Sequence, residues 1–466
     1  MSQASSSPGS PPPHPCPEVI PHTETHAVRG GEVRLLGAVR MVTGAMTRVD
    51  LGGARVLVDC GLAQGRDAAR WTFPEAARDV DAVVLTHGHL DHIGSLPALL
   101  AGPFDKPIYA TRATLAIAAL SLEDSLSFTD LSNAEATRFL GRFKALARPL
   151  DLRAGALLPG RAGESDLQLT LHEAGHILGS ASAELRSKDT RLLVSGDLGR
   201  PNSPLLRDPE THWQDRTPFE LVVMESTYGD RDHGHSREDI AENLERILRA
   251  AIARGGHILV PAFALGRTQT LLYFLNALVE AGKIEDLPVA IDTPLGLAFT
   301  ETYKTFSRLY DKDSLDRLAA GDDPLDFADL FAVRRGHESA RLGSAKGPVL
   351  IIAGSGMCTG GRIVGHLARD LPNPRTTVLF VGHQGEGTPG RAIQKAAQRP
   401  GSTVYLDKRQ IPVHAAIETL SGLSAHADRT ELLTWLERLP GVARVALHHG
   451  EVGAQEGFAR FCQEAW

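Results

Sequence analysis

The chain has 466 residues, of which 42% are hydrophobic and 23% charged, and its formal net charge is −7. This composition is typical of a globular protein with one or two cores, and the negative charge confines any nucleic-acid site to a local basic patch. The four cysteines form no Cys-x-x-Cys pair, which argues against a thiolate metal site and favours a reducing compartment. No apolar stretch approaches the roughly 18 residues of a membrane span, so we expect a cytoplasmic protein without membrane contact.

Hydrophobic periodicity divides the chain into four segments. Residues 1–30 are rich in serine and proline and predict a disordered leader. Residues 31–225 predict mostly short strands, at 32–39, 46–49, 55–59, 82–85, 108–110, 167–171, 183–185, 191–194 and 219–224, with helices at 94–100, 113–122 and 134–147. Residues 226–410 alternate strands (257–261, 289–291, 349–353, 377–381) with helices (236–253, 267–280, 296–309, 362–371, 391–397), which predicts a doubly wound α/β unit. Residues 411–466 predict strands at 413–420 and 442–447, and helices at 426–439 and up to 466.

The densest group of polar residues is the stretch His-Gly-His-Leu-Asp-His at 87–92. It follows the apolar run 82–85 and therefore predicts a buried strand that ends in a polar loop. Neutral imidazoles and carboxylates are the ligands that suit zinc and similar divalent metals. His87 and His89 can point at one ion, and Asp91 and His92 at a second ion nearby.

Three further candidate ligands, His176, Asp197 and His449, each follow a predicted strand. Strand ends are where side chains can converge at one edge of a sheet sandwich. Taken alone, each of the three is more often a surface, capping or turn residue.

With Asp59, this ordered series resembles the motifs of the metallo-β-lactamase fold, an αββα sandwich with two metals at one edge. The resemblance implies two Zn²⁺ ions per chain, the first bound by His87, His89 and His176, the second by Asp91, His92 and His449, with Asp197 bridging them. Asp59 would orient the ligands. His449 is preferred to its neighbour His448, since the family places its ligand directly before Gly-Glu. Two ions sharing a water would lower its pKa from about 15.7 to about 7, which yields a hydroxide nucleophile.

The stretches around Glu225, His383 and His426 resemble motifs of the β-CASP nucleases and arrive in that family's order. Residues 263–269 and 354–362 also resemble stretches of its RNA-processing members, and the likeness runs from about residue 33 to 466. The resemblance implies a metallo-β-lactamase domain in two parts, 31–225 and 411–466, with a β-CASP α/β domain inserted at 226–410. It implies a zinc-dependent ribonuclease that cleaves single-stranded RNA in RNA processing or decay.

The roles follow from the chemistry of phosphodiester hydrolysis. We expect Asp91, Glu225 and His426 to be catalytic, with His426 as general acid, oriented and kept cationic by Glu225. The expected contacts to RNA phosphates are Ser355, Gly356, Arg267, Arg362, His383 and His426. A plain strand-to-helix turn at Gly354–Gly356, ordinary surface roles for the arginines and a core role for His383 remain alternatives.

Other functions stay open at this stage. A small-molecule hydrolase of thioesters or lactams on the same fold is one alternative, because the fold alone does not define the substrate. An inactive RNA-binding subunit is the second alternative and a DNA nuclease the third. The sequence also leaves open a homodimer, and whether cleavage is internal or proceeds from an end.

Overall fold

The computed structural model describes residues 15–65, 68, 71–161, 163–188, 190–284, 287–399 and 401–466. Within these ranges, two seven-stranded sheets face each other. The first sheet has the strand order β2 (Thr25–Val28), β3 (Gly31–Gly37), β4 (Met46–Leu51), β5 (Ala54–Val58), β6 (Ala82–Val84), β7 (Ile108–Ala110) and β8 (Ala147–Pro149). The second has the order β1 (Glu18–Ile20), β22 (Val442–His448), β13 (Phe219–Glu225), β12 (Thr190–Val194), β11 (Ala181–Ser187), β10 (Gln168–Glu173) and β9 (Gly155–Leu157).

The hydrophobic core of this sandwich lies between the two sheets. Side chains that alternate along the strands meet there, for example Val33 and Leu35 from β3 and Leu169 and Leu171 from β10, all at most 3% exposed. Burying such aliphatic side chains contributes about 1.5–3 kcal/mol each. The core therefore holds the two sheets at a constant separation, and it positions the strand ends at the edge where the candidate ligands lie.

Helices cover both outer faces of the sandwich. The first sheet packs against α1 (Leu90–Ile93), α2 (Leu96–Leu100), α3 (Arg112–Leu126) and α4 (Asn133–Leu146), and the second against α12 (Arg429–Glu437) and α13 (Val452–Ala465). Ser132 caps the N-terminus of α4, and its Oγ accepts a hydrogen bond from Glu135 N. The predicted αββα sandwich is confirmed.

Between β13 and α12 the chain builds a separate α/β unit. Its sheet is parallel throughout, with the order β16 (Leu330–Ala332), β15 (Val289–Ile291), β17 (Leu350–Ala353), β14 (Ile258–Pro261), β18 (Thr377–Phe380) and β21 (Ala416–Thr419). Its helices are α5 (Arg237–Arg254), α6 (Arg267–Glu280), α7 (Pro294–Thr305), α8 (Lys312–Ala319), α9 (Gly336–Leu342), α10 (Arg362–Asp370) and α11 (Pro389–Ala397), and the antiparallel hairpin of β19 (Thr403–Leu406) and β20 (Arg409–Pro412) follows α11. The predicted doubly wound insertion is confirmed.

The end of this insertion lies beyond the boundary expected at residue 410. Strand β21 pairs with β18 in parallel, from Thr377 opposite Ala416 to Phe380 opposite Thr419. A strand that completes the inserted sheet belongs to the insertion, and we therefore propose that the domain ends after Thr419.

The leader prediction is wrong where it can be compared with the structure. Residues 1–14 lie outside the described residues, but β1 and β2 form within the stretch expected to be disordered. Strand β1 pairs in parallel with β22, with Glu18 opposite Arg444. The partner strand lies more than 400 residues away, so local composition contained no signal for it.

Membrane contact was not expected from the sequence. In the part of the chain that the structure describes, no helix combines the length and the apolar character needed to cross a bilayer.

Candidate metal centre and adjoining cleft

The loop at residues 87–92 is attached by backbone hydrogen bonds to the segments that precede β4 and follow β5. Ala45 N donates to Asp91 O (2.8 Å) and Cys60 N donates to His92 O (2.7 Å). Gly88 allows α3 to approach, because an added Cβ would lie 2.4 Å from a methyl carbon of Ile117. The loop is therefore held on both sides, and its imidazoles have defined positions.

A first group of candidate ligands consists of His87, His89, His176 and Asp197. One ligand atom of each lies within 4.8 Å of the others. The Nε2 atoms of His87 and His176 both lie 3.5 Å from Asp197 Oδ2. The structure thus gathers the three histidines of the first expected metal site around one carboxylate oxygen.

A second group, Asp91, His92 and His449, lies on the other side of Asp197. Asp197 Oδ1 is 3.2 Å from His92 Nε2 and 3.4 Å from His449 Nδ1. Asp91 Oδ2 lies 3.5 Å from His449 Nε2. Asp197 therefore directs one carboxylate oxygen toward each group. His448 points away, and its Nε2 donates to Gly37 O at 2.8 Å.

The donor set fits divalent cations. Burial lowers the pKa of His87 and His176, and lowers the pKa of His89 to about 4, so these rings are neutral at pH 7 and present lone pairs. Asp197 Oδ1 is buried and accepts no hydrogen bond from the described residues, although imidazole nitrogens of His92 and His449 lie 3.2 and 3.4 Å from it. Unpaired buried polar atoms are costly, and a bound cation removes that cost for atoms that face it.

Several side chains orient these ligands. Asp59 Oδ2 lies 2.6 Å from His92 Nδ1, and Asp59 Oδ1 accepts from Thr86 N at 2.8 Å. Two threonines that the sequence analysis missed act in the same way: Thr86 Oγ1 is 3.1 Å from His87 Nδ1, and Thr227 Oγ1 is 3.1 Å from His449 Nδ1. The sequence could have indicated this role, because Thr86 directly precedes the His-rich stretch and Thr227 lies two residues after Glu225. These contacts hold the rings in one orientation.

The buried Glu225 and the half-buried His426 form a pair beside the first group. His426 Nδ1 lies 3.1 Å from Glu225 Oε1, which also accepts from Leu198 N at 2.8 Å. Glu225 is 1% exposed. Burial on its own lowers the pKa of His426, but the charges of Glu225, Asp197 and Asp91 outweigh it and raise this pKa to about 9. The imidazole of His426 is therefore a cation at neutral pH.

A cavity of about 1020 Å³ joins this centre to the insertion. The side of the sandwich contributes His89, Asp91 and His426, and the side of the insertion contributes Phe263, Arg267 and Met357. The cavity lies at the carboxyl edge of the inserted parallel sheet, where ligands bind in open α/β sheets. Its volume accommodates a polymer segment as well as a small molecule.

Arg267, an expected phosphate contact, lines this cavity. Its Nε is buried without a hydrogen-bond partner, and no carboxylate forms an ion pair with it within the described part of the chain. Burial lowers the pKa of Arg267 to about 10, which leaves the guanidinium charged at pH 7. Because its Nε is buried and no acid of the described residues pairs with it, a ligand that supplies negative charge would stabilise this half-buried guanidinium.

Four of the other expected phosphate contacts lie outside the cavity lining: Arg362, Ser355, Gly356 and His383. Arg362 donates to Asp292 Oδ1 at 2.6 Å and to Val333 O at 3.1 Å, so its charge is already paired. Ser355 Oγ accepts from Thr359 N at 2.9 Å, and the side chain of His383 is exposed. The structure thus brings Arg267 and His426 to the cavity but not Arg362, Ser355 or His383, and Gly356 packs beneath Phe263.

Comparison with known proteins supplies the family. Three family models match: Metallo-beta-lactamase superfamily (residues 42–262), Beta-Casp domain (268–393) and Zn-dependent metallo-hydrolase RNA specificity domain (410–465). Over 421 residues the chain is 37% identical to Ribonuclease TTHA0252 of Thermus thermophilus, covering 89% of this chain and 92% of that protein. The chain belongs to the β-CASP family of metallo-β-lactamase enzymes. Members of this superfamily bind divalent metal, which agrees with the donor set described above.

Other relatives of this β-CASP enzyme are more distant. Transcription termination factor FttA of Methanocaldococcus jannaschii is 31% identical over 433 residues, which are 90% of this chain and 67% of that protein. A solved structure of a protein of unknown function from Enterococcus faecalis V583 aligns with a TM-score of 0.54 at 13% identity, covering 91% of this chain and 95% of that one. At this identity the likeness shows the fold alone.

Proposed function

We propose that the protein is a zinc-dependent ribonuclease that hydrolyses phosphodiester bonds of single-stranded RNA in RNA processing or decay. The main support is the meeting of two ligand groups at Asp197, beside a cavity lined by Arg267, an arginine with no ion-pair partner in the described ranges. A relative named a ribonuclease and a family model described as an RNA specificity domain support RNA as the substrate. A cytoplasmic location accords with such a substrate, and a homodimer stays a prediction.

In this proposal two zinc ions occupy the centre. His87, His89 and His176 would hold one ion, Asp91, His92 and His449 the other, and Asp197 would bridge them. When bound, the ions would supply a water of lowered pKa and positive charge to offset that of the phosphate. Asp59 would keep the proton of His92 on Nδ1 and leave Nε2 free to coordinate.

The chain itself supplies the proton for the leaving oxygen. Breaking the phosphodiester releases an alkoxide, which is a poor leaving group until it is protonated. His426 is protonated at neutral pH through its contact with Glu225, and its ring borders the cavity. The proton therefore comes from His426, and Glu225 retains the ring in the correct orientation and stabilises its charge.

Arg267 supplies a fixed positive charge on the opposite side of the cavity. A phosphate of the bound strand would pair with its guanidinium in a site partly shielded from water, where such a contact is stronger than at the surface. This contact places the strand between the insertion and the metal centre. The local charge explains how a chain of net charge −7 binds a polyanion.

End-labelled single-stranded RNA tests the proposal. We expect the purified protein to shorten it, with activity lost on chelation and restored by zinc. Asp91→Asn should abolish cleavage and retain RNA binding, whereas the control Asp370→Asn, which alters a buried carboxylate beside His257, should cleave normally. Hydrolysis of a thioester or lactam without RNA cleavage would identify a small-molecule hydrolase, and RNA binding without any cleavage would identify an inactive subunit.

A further inference from the structure

One large hydrophobic side chain is exposed inside the cavity. Phe263 follows β14 at the carboxyl edge of the inserted sheet and is 43% exposed. Among the large hydrophobic side chains that are exposed in the described ranges, it alone lines the cavity; the others are Phe128, Leu131, Leu157, Phe331, Tyr405 and Val452. An exposed phenyl ring inside a cavity that contains His426 and Arg267 requires an explanation other than folding.

The ring is held in place from one side by glycine backbone. A Cβ added to Gly356 would lie 2.8 Å from Cδ2 and 2.9 Å from Cε2 of Phe263, so the ring lies directly against this residue. The carbonyl oxygen of Phe263 accepts from Thr268 Oγ1 at 2.8 Å. Gly356 therefore allows a close approach that no larger residue permits, and the remaining exposed surface of the ring is available to a ligand in the cavity.

A positive charge lies next to this surface. A Cβ built on Gly382 would lie 3.8 Å from Phe263 Cε2 and 3.9 Å from Arg267 Nε, so the ring and the guanidinium flank the same point. A flat apolar surface beside an unpaired cation matches the two parts of a nucleotide, the base and its phosphate. An apolar peptide side chain would cover the ring but leave the half-buried guanidinium of Arg267 without a counter-charge.

We propose that Phe263 forms a nucleobase subsite, in which one base of the bound single strand stacks on the phenyl ring while the adjoining phosphate pairs with Arg267. The proposal rests on RNA as the substrate. Because every base has a π face, stacking selects single-stranded RNA over duplex without selecting a sequence. The base stacked on Phe263 therefore sets the position of the RNA strand relative to the metal centre.

A thermodynamic cycle between the ring and the base tests this subsite. A set of short RNAs carries a single abasic nucleotide at successive positions, and kcat/KM is measured for each. For the wild-type protein we expect one position where the missing base lowers kcat/KM on the order of tenfold to a hundredfold. Phe263→Ala should lower kcat/KM for intact RNA by a similar factor, and the same abasic position should then have no further effect.

Matched variants separate stacking from packing. Phe263→Trp keeps an aromatic face and should retain the dependence on the base, whereas Phe263→Leu keeps apolar volume and should lose it. Phe128→Ala removes an 83% exposed phenylalanine away from the cavity and should behave as wild type. Gly356→Ala should displace the ring of Phe263 and reduce the effect of the abasic nucleotide at the same position on kcat/KM.

The outcomes separate this subsite from the proposed ribonuclease activity. If RNA is cleaved but the abasic effect is the same in the wild type and Phe263→Ala, the subsite is wrong and the ribonuclease remains. An equal decrease in kcat/KM at every abasic position would also overturn the proposed subsite. If intact RNA is neither bound nor cleaved by the wild type, the proposed function itself has failed, and the subsite with it.

Discussion

Replacing Asp59 by asparagine tests how the metal ligands are oriented. Asp59 is 3% exposed, its Oδ2 lies 2.6 Å from His92 Nδ1, and it accepts from both the backbone N–H and the hydroxyl of Thr86. Its backbone has a φ of 62°, a left-handed conformation that asparagine tolerates. Asp59→Asn therefore changes the hydrogen bonding with little change in shape or backbone strain.

The expected loss of metal affinity in Asp59→Asn follows from the hydrogen bonds that the asparagine can and cannot form. An asparagine side chain has one acceptor oxygen and one NH₂ group, whereas both carboxylate oxygens of Asp59 accept hydrogen bonds. If the NH₂ group faces His92, the ring must move its proton from Nδ1 to Nε2, and Nε2 can then no longer bind metal. If it faces Thr86, a buried backbone N–H loses its acceptor. Loss of such an orienting partner typically costs 10–100-fold in metal affinity, or about 1.4–2.8 kcal/mol.

Competition with a chromophoric zinc chelator measures this loss, and elemental analysis gives the zinc content. We expect Asp59→Asn to bind one of two zinc ions 10–100-fold more weakly. Asp370→Asn is the matched control, because Asp370 Oδ2 lies 2.9 Å from His257 Nδ1 in a similar pair outside the metal centre. Unchanged zinc affinity in Asp59→Asn, or an equal loss in the control, would refute the reasoning about the proton of His92.

Three further predictions concern catalysis and stability. Glu225→Gln keeps an acceptor for Leu198 N–H but removes the charge that faces His426, so kcat should fall about 10²–10⁴-fold with zinc content unchanged; a parallel loss of zinc would show a structural role instead. Chelation should lower the melting temperature by several degrees, since metal binds the folded state, and excess zinc should restore it; an unchanged melting temperature would argue against a bound metal. Burial raises the pKa of Glu173 to about 7, so the folded protein binds this proton more tightly than the unfolded chain, and the contribution to stability is lost as pH rises from about 4.5 to about 7. Urea unfolding should show Glu173→Gln to be more stable than wild type at pH 8 but not at pH 4; the same difference at both values would contradict this.

The sequence predicts that the candidate ligands converge because most of them follow the end of a strand, while Asp91 and His92 lie in the short helix α1. His87 follows the apolar run that forms β6, Asp197 follows β12, and His449 follows β22. Strand direction brings such ends to one edge, so position in the sequence becomes position in space. The two orienting threonines occupy loop positions whose side-chain directions depend on the assembled site, and the sequence analysis overlooked both.

The sequence predicts the phosphate contacts less well because charge pairing is a long-range property. Arg267 and Arg362 are the first residues of α6 and α10, and both were expected to bind phosphate. Arg362 has an acid partner, Asp292, 70 residues away in the chain, while Arg267 has no ion pair in the described ranges. Composition near either arginine does not reveal this difference, which decides whether the charge is available to a ligand.

His426 is attached to the sandwich, although it lies beside the cavity between the sandwich and the insertion. Glu225 and His426 are 201 residues apart and lie on either side of the insertion, yet they are in contact. Gly199 and His426 form an antiparallel bridge, and Ala427 N donates to Leu198 O at 2.8 Å, directly after Asp197. These backbone contacts attach His426 to the sandwich rather than to the inserted sheet. A widening of the cavity would therefore move Phe263 and Arg267 away from the candidate metal centre while His426 stays beside Asp197. The residues proposed to bind the strand would then separate from those proposed to cleave it.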